Sequence, residues 1–171
     1  MIVDTLTGEH RMTAVDIIHD VGRSLNPAID MGQTEGAFIQ GAGWLTSEEL
    51  WWDKQGRIGT HAPSTYKIPA CSDLPSHFNV EIYERGDNLE EAIYRSKAVG
   101  EPPIMLPMSV LHAIKDAVSS VSGYKYSADL HAPATPEAVL RAIEEIKQRG
   151  TPNDVATAAR SEQKRVLEEA E

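Results

Sequence analysis

Apolar residues along this chain recur at two periods, one near two and one near 3.6, and the alternation of these periods predicts its elements. Ile2 to Asp4 is a short β-prone run, Leu6-Thr7-Gly8-Glu9 reads as a turn, and Met12 to Ile18 is rich in β-branched residues, so the opening predicts a hairpin. After the loop residues His19-Asp20-Val21-Gly22 and Leu25-Asn26-Pro27, Asp30 stands as an N-cap with Gln33 at capping-box spacing. A helix follows from about Met31 to Leu50, with Phe38, Ala42 and Leu45 as its core stripe.

Trp51-Trp52 and Arg57 to Thr60 flank the turn Asp53-Lys54-Gln55-Gly56 and predict a second hairpin. Pro63 to Pro69 reads as extended chain, and Phe78 to Tyr83 alternates as a half-buried strand. Leu106, Val110, Ile114, Ala117, Val118 and Val121 then keep helical spacing, which predicts a helix from Ile104 onward. Tyr124 to His131 is loop. Thr135-Pro136-Glu137 opens a last helix that buries Val139, Ala142, Ile143 and Ile146 and stops at Gly150. Thr151 to Glu171 is charged and poor in large apolar residues, a marginal helix or a disordered tail. The sum is an α+β fold: a mixed sheet and hairpins packed against helices that start near Asp30 and Glu101, with the C-terminal helix outside. Residues 1–150 form the domain and 151–171 the tail.

Four glycines change the picture of the first helix. Gly32, Gly36, Gly41 and Gly43 each cost about 1 kcal/mol relative to alanine in a helix interior, so they need a reason. Gly32 and Gly36 share one face, where either another backbone or a flat ligand could approach closely. The paired tryptophans likewise read either as packing or interface residues or as ligand stackers.

Composition narrows the partners. The chain has 171 residues, 41% hydrophobic and 25% charged, enough for one globular domain with a core. Lys and Arg total 16 against 26 Asp and Glu, a net charge of -10, and no basic cluster is interleaved with aromatics, so nucleic acid is not an expected partner. Cys71 is the single cysteine, which leaves no intrachain disulfide, iron–sulfur cluster or cysteine-rich zinc site and fits a reducing cytoplasm. No apolar run reaches bilayer length and Met1-Ile2-Val3-Asp4 lacks signal-peptide features, so a soluble, unexported chain is expected. The six histidines form no HExxH pair, and no GxGxxG, P-loop or Ser-His-Asp arrangement stands out.

Chemistry concentrates at Lys97-Ala98-Val99-Gly100-Glu101-Pro102-Pro103-Ile104. Gly100 can take angles closed to other residues, and the two prolines fix φ and remove donors, so Glu101 would stand on a stiff elbow at a helix start. The helix dipole would favour its anion and burial would oppose it. Glu101 is thus either an aimed carboxylate or a helix-start acid with a structural role.

Asp20-Val21-Gly22, Leu25-Asn26-Pro27-Ala28-Ile29-Asp30, Gly32-Gln33-Thr34-Glu35-Gly36-Ala37-Phe38-Ile39-Gln40-Gly41, Pro63-Ser64-Thr65-Tyr66-Lys67-Ile68-Pro69 and Lys97 to Pro103 occur in that order. Together they closely resemble the C-terminal part of the molybdopterin-binding subunit of the xanthine dehydrogenase family, over roughly Val3 to Glu137. The resemblance implies a molybdenum hydroxylase in which water supplies the inserted oxygen. It implies that Glu101 is the general base for attack on an electron-poor carbon of a purine such as hypoxanthine or xanthine. It also implies that Gln33 lies close to the molybdopterin and metal, where its amide can donate and accept; the capping role would compete for the same atoms.

Family members carry iron–sulfur clusters and a flavin (FAD) in other domains or a partner subunit, and the pterin lies between this region and a preceding part of the subunit. The family's upstream arginine and phenylalanine, which orient the ring, have no counterpart here. The chain is therefore expected to hold one wall of an active site, to be inactive alone and to work as part of an oligomeric enzyme. A chain that is instead an inert folded module or assembly element, binding no cofactor, is the alternative, and metal analysis separates the two.

Overall fold

Strand β1 (Ile2–Val3) pairs antiparallel with β2 (His10–Arg11) across a turn folded by Asp4, whose Oδ1 accepts the Leu6 N–H at 2.8 Å. The opening hairpin therefore closes on His10–Arg11, not on the run from Met12 to Ile18 as expected. That run forms β3 (Ala14–His19), which lies parallel to β4 (His77–Ile82) in the register Ala14 to His77 through His19 to Ile82. A parallel pair needs a long crossover and leaves no local turn signal, which is why alternation alone pointed to the nearer partner. The strands make two separate two-stranded sheets, so the expected single mixed sheet is divided.

Helix α1 (Pro27–Thr46) occupies the crossover. It starts four residues before the expected position: Asn26 is the N-cap, its side chain accepting the Ile29 N–H at 3.4 Å, and Pro27 takes the first turn. An asparagine followed by proline is a stronger start than Asp30, which lies inside the first turn and accepts a 2.6 Å hydrogen bond from Ser24 Oγ. The helix ends at Thr46, short of Leu50, where the Ser47 N–H caps the Gly43 carbonyl at 3.0 Å. Phe38 and Ala42 are buried as expected and Leu45 partly so; the Phe38 ring meets Phe78 of β4 at 5.6 Å between centroids.

Trp52 and Ile58 form the one bridge of the second hairpin, around Asp53. Pro63 to Pro69 is not extended throughout: Ala62 to Tyr66 winds into a turn, with the Thr65 and Tyr66 N–H groups both bonded to the Ala62 carbonyl. The helix expected from Ile104 is interrupted. Pro102–Met105 makes a single 3₁₀ turn, and α2 begins only at Met108 and runs to Ser120. Pro107 has no N–H to give the Pro103 carbonyl, so the Leu106 N–H takes that acceptor at 3.1 Å and the α ladder restarts beyond it.

Val110, Ile114 and Val118 of α2 face Val139, Ala142, Ile143 and Ile146 of α3 (Pro136–Arg149), which Thr135 caps through the Ala138 N–H at 3.3 Å. One continuous core joins Ile17 of β3, Val80 of β4, α1, α2 and α3. The structure is a computed structural model that describes residues 1–149; the expected stop at Gly150 and the tail 151–171 lie outside the described residues.

Candidate active-site wall

The segment carrying Glu101 is gripped by backbone before any side chain matters. The Lys97 N–H donates to the Val21 carbonyl at 2.8 Å, Gly22 and Ser96 form an antiparallel bridge, and the Arg23 N–H reaches the Arg95 carbonyl at 3.2 Å. Gly22 has φ +63° and a Cβ there would run into the Arg95 carbonyl, so the position demands glycine twice over. Sequence reading missed this meeting of Asp20-Val21-Gly22 with Arg95-Ser96-Lys97. The available signal was only that both lie inside the ordered motifs.

Gln33 and Glu101, distant in sequence, are brought to one place. Gln33 Nε2 donates to the Gly100 carbonyl at 3.1 Å, the link spanning 67 residues. Gln33 is therefore a tie between α1 and the loop, and the capping alternative fails because Asn26 holds the cap. Its Oε1 stays available as an acceptor on the exposed side.

Glu101 follows directly, with φ -106° and ψ -38°, at the head of the 3₁₀ turn. Its side chain makes no cap hydrogen bond, takes part in no ion pair among the described residues, and is exposed. The helix-start role thus has no bond behind it. The stiff elbow comes from a different source than glycine strain: Gly100 does not have a positive φ, and a Cβ on it would meet open space. Stiffness comes instead from Gln33 on one side and from buried Pro103 on the other. There the Ile104 carbonyl lies against Gly41 of α1, leaving no room for a Cβ.

The four helix glycines divide in two. Gly41 and Gly43 are filled positions, pressed on Ile104, Pro107, Glu48 and Pro69. Gly32 and Gly36 are exposed, and a Cβ on either would touch nothing among the described residues. Packing within the described residues therefore accounts for Gly41 and Gly43 only. The bare backbone at Gly32 and Gly36 and the Gln33 amide of α1 thus lie next to the loop that carries the unpaired Glu101. That donor and acceptor set suits a flat, hydrogen-bonding heterocycle such as a pterin. Two cavities of about 540 and about 780 Å³ are lined by other residues.

The molybdopterin cofactor-binding domain family matches residues 1–75, which include Gln33. Over 143 residues the chain is 50% identical to the xanthine dehydrogenase/oxidase of Gallus gallus, a match covering 82% of the chain and 10% of that protein. It is 47% identical over 150 residues to xanthine dehydrogenase 1 of Arabidopsis thaliana, with 82% of the chain and 11% of that protein covered. Most of the chain thus corresponds to a segment of the xanthine dehydrogenases, and its first 75 residues to the molybdopterin cofactor-binding domain.

It spans about a tenth of the length of these family members. Among solved structures, quinoline 2-oxidoreductase from Pseudomonas putida 86 superposes with a TM-score of 0.70 at 28% identity, over 84% of this chain and 17% of that one. Aldehyde oxidoreductase from Desulfovibrio gigas gives 0.65 at 25% identity, over 83% and 14%. A Cu,Mo-CO dehydrogenase shares the fold, with a TM-score of 0.71 at 19% identity over 85% of this chain and 18% of that one. No helix among the described residues is long and apolar enough to cross a membrane.

Proposed function

We propose that the chain supplies the general base and one cofactor-facing wall of a cytoplasmic molybdenum hydroxylase that oxidises purines such as hypoxanthine or xanthine. The observation that carries this reading is the 3.1 Å bond from Gln33 to Gly100, which ties the loop carrying the unpaired Glu101 to α1 next to its bare glycines. Gln33 and the backbone at Gly32 and Gly36 would hold the molybdopterin. When bound, the cofactor would supply the two-electron acceptor and the oxygen derived from water. Glu101 would be the residue that accepts a proton during attack on an electron-poor ring carbon, a role that requires its carboxylate within hydrogen-bond reach of the proton it takes. An unpaired carboxylate is free to accept it; one locked in an ion pair would first have to be released.

The remaining walls, the iron–sulfur clusters and the FAD belong to other domains or a partner subunit, so the chain by itself is inactive and binds no molybdenum. In the assembled enzyme, Glu101→Gln keeps the fold and the metal and lowers kcat by about 10²- to 10⁴-fold, the range for losing a general base. Near-normal turnover of xanthine overturns the assignment. Gln33→Ala frees the Gly100 carbonyl and alters the metal's absorption spectrum; an unchanged spectrum and rate removes Gln33 from the cofactor site. Molybdenum and pterin retained by the chain alone contradict the incomplete-wall reading.

A further inference from the structure

We propose that Asp20 and Lys97 are positioning residues for Glu101, their ion pair forming the upstream anchor of the loop that carries it. The kinetic part of this inference rests on Glu101 being the base; the geometric part does not.

Lys97 Nζ is bonded to Asp20 Oδ2, while Asp20 Oδ1 accepts the Gly22 N–H at 2.8 Å. Each carboxylate oxygen thus has a separate task, one folding the Asp20–Gly22 turn and the other holding the lysine. The lysine bond, then the Gly22 N–H, keep the Asp20 carboxyl below the usual carboxylate range, so it stays charged. Gly86 closes the other side, since a Cβ there would collide with the Asp20 carboxylate. The Lys97 N–H to Val21 bond adds a backbone link at the same residue.

The chain enters this anchor in a costly conformation. Tyr94 (φ 52°, ψ 21°) and Arg95 (φ 57°) are consecutive non-glycine residues in the left-handed region, which persists only where surrounding contacts impose it. Here Arg23 and Asn88 donate N–H groups to the Arg95 carbonyl at 3.2 and 3.4 Å, and Asn88 Nδ2 holds the Ser96 carbonyl at 3.0 Å. Between the anchor at Lys97 and the Gln33 tie at Gly100 lie only Ala98 and Val99. Glu101 is therefore held from the Lys97 side as well as by Gln33 and the buried Pro103 turn, and cutting the ion pair removes the side-chain bond of the upstream anchor. The pair is 35% and 39% exposed, where solvent screening leaves an ion pair little worth for overall stability. Its consequence is geometric.

The test uses Lys97→Met, which spares the Asp20 turn, with Lys97→Arg as the conservative variant and Asp20→Asn as an independent cut. In the full chain, ¹⁵N relaxation should give order parameters near about 0.85 for residues 98–101 in the parent and below about 0.6 in Lys97→Met and Asp20→Asn, with Lys97→Arg near the parent. The melting temperature should move by no more than about 4 °C. In the assembled enzyme the same cuts should lower kcat by about 10- to 100-fold with KM within about threefold, the signature of a misplaced group rather than a lost binding contact. Unchanged order parameters overturn the proposal, as does a kcat loss that merely follows the folded fraction or that Lys97→Arg does not rescue. If Glu101→Gln turns over normally the base assignment fails, and the relaxation data alone decide the anchor.

Discussion

Gly22 and Gly36 respond in opposite directions to the same substitution, because one glycine is demanded by the chain's own backbone and the other is not. Alanine at Gly22 must hold φ +63° against the Arg95 carbonyl, and should lower stability by about 2–4 kcal/mol. Alanine at Gly36 meets nothing and gains helix propensity, so the chain should become more stable by about 0.5–1 kcal/mol. Urea midpoints at constant slope measure both. In the assembled enzyme Gly36→Ala should instead lower molybdenum content, since the added methyl occupies the face assigned to the cofactor. At this scale sequence named Gln33 and Glu101 as a pair only through the family resemblance. The hydrogen bond that couples them spans too much chain for any spacing rule to show it.

Among elements, the start of α1 separates local from tertiary information. By sequence Asn26-Pro27 reads as loop and Asp30 with Gln33 as the cap; the cap is Asn26 instead because proline at N1 costs no hydrogen bond and its φ suits the first turn. Asn26→Ala should therefore destabilise the chain by about 1 kcal/mol through the lost cap. Asp30→Ala removes only the Ser24 contact and should cost less; equal losses in chemical denaturation would restore Asp30 as the cap. The buried face of α3 followed from its 3.6 periodicity residue by residue, and that of α2 at Val110, Ile114 and Val118, while Ala117 is only half-buried and Leu106 and Val121 lie outside the helix. The β3 to β4 pairing did not, since alternation shows that a strand is half-buried and not which strand it joins.

For the whole molecule, two liabilities follow from what remains uncovered or unpaired. Ile18, Leu25, Ile29 and Ile68 are each more than 60% exposed, alongside the half-exposed Trp44, Trp51 and Trp52. The isolated chain should therefore self-associate with concentration, and light scattering showing a clean monomer without binding of an exposed-patch dye would refute this. The second is acid sensitivity. Burial pushes His10 below the ordinary imidazole value, a backbone hydrogen bond at Gly8 opposing it in part, and its Nδ1 is buried without a partner among the described residues. Above about pH 6.5 both folded and unfolded chains hold it neutral; between there and the lower folded value, only the unfolded chain takes up the proton. Stability should therefore fall as the pH drops below about 6.5, and His10→Gln should flatten that limb of the urea midpoint profile.

The sequence by itself determined the α+β class and most of the buried stripes of the helices, and its ordered motifs singled out Gln33 and Glu101 as candidates, because periodicity and motifs are local properties of the chain. Only the tertiary structure decided that β3 runs parallel to β4, that Gly32 and Gly36 stay bare while Gly41 and Gly43 are filled, and that Asp20 and Gln33 hold the Glu101 loop from two sides. Those are relations between segments far apart in sequence. They exist only once burial of the common core has brought the segments into contact.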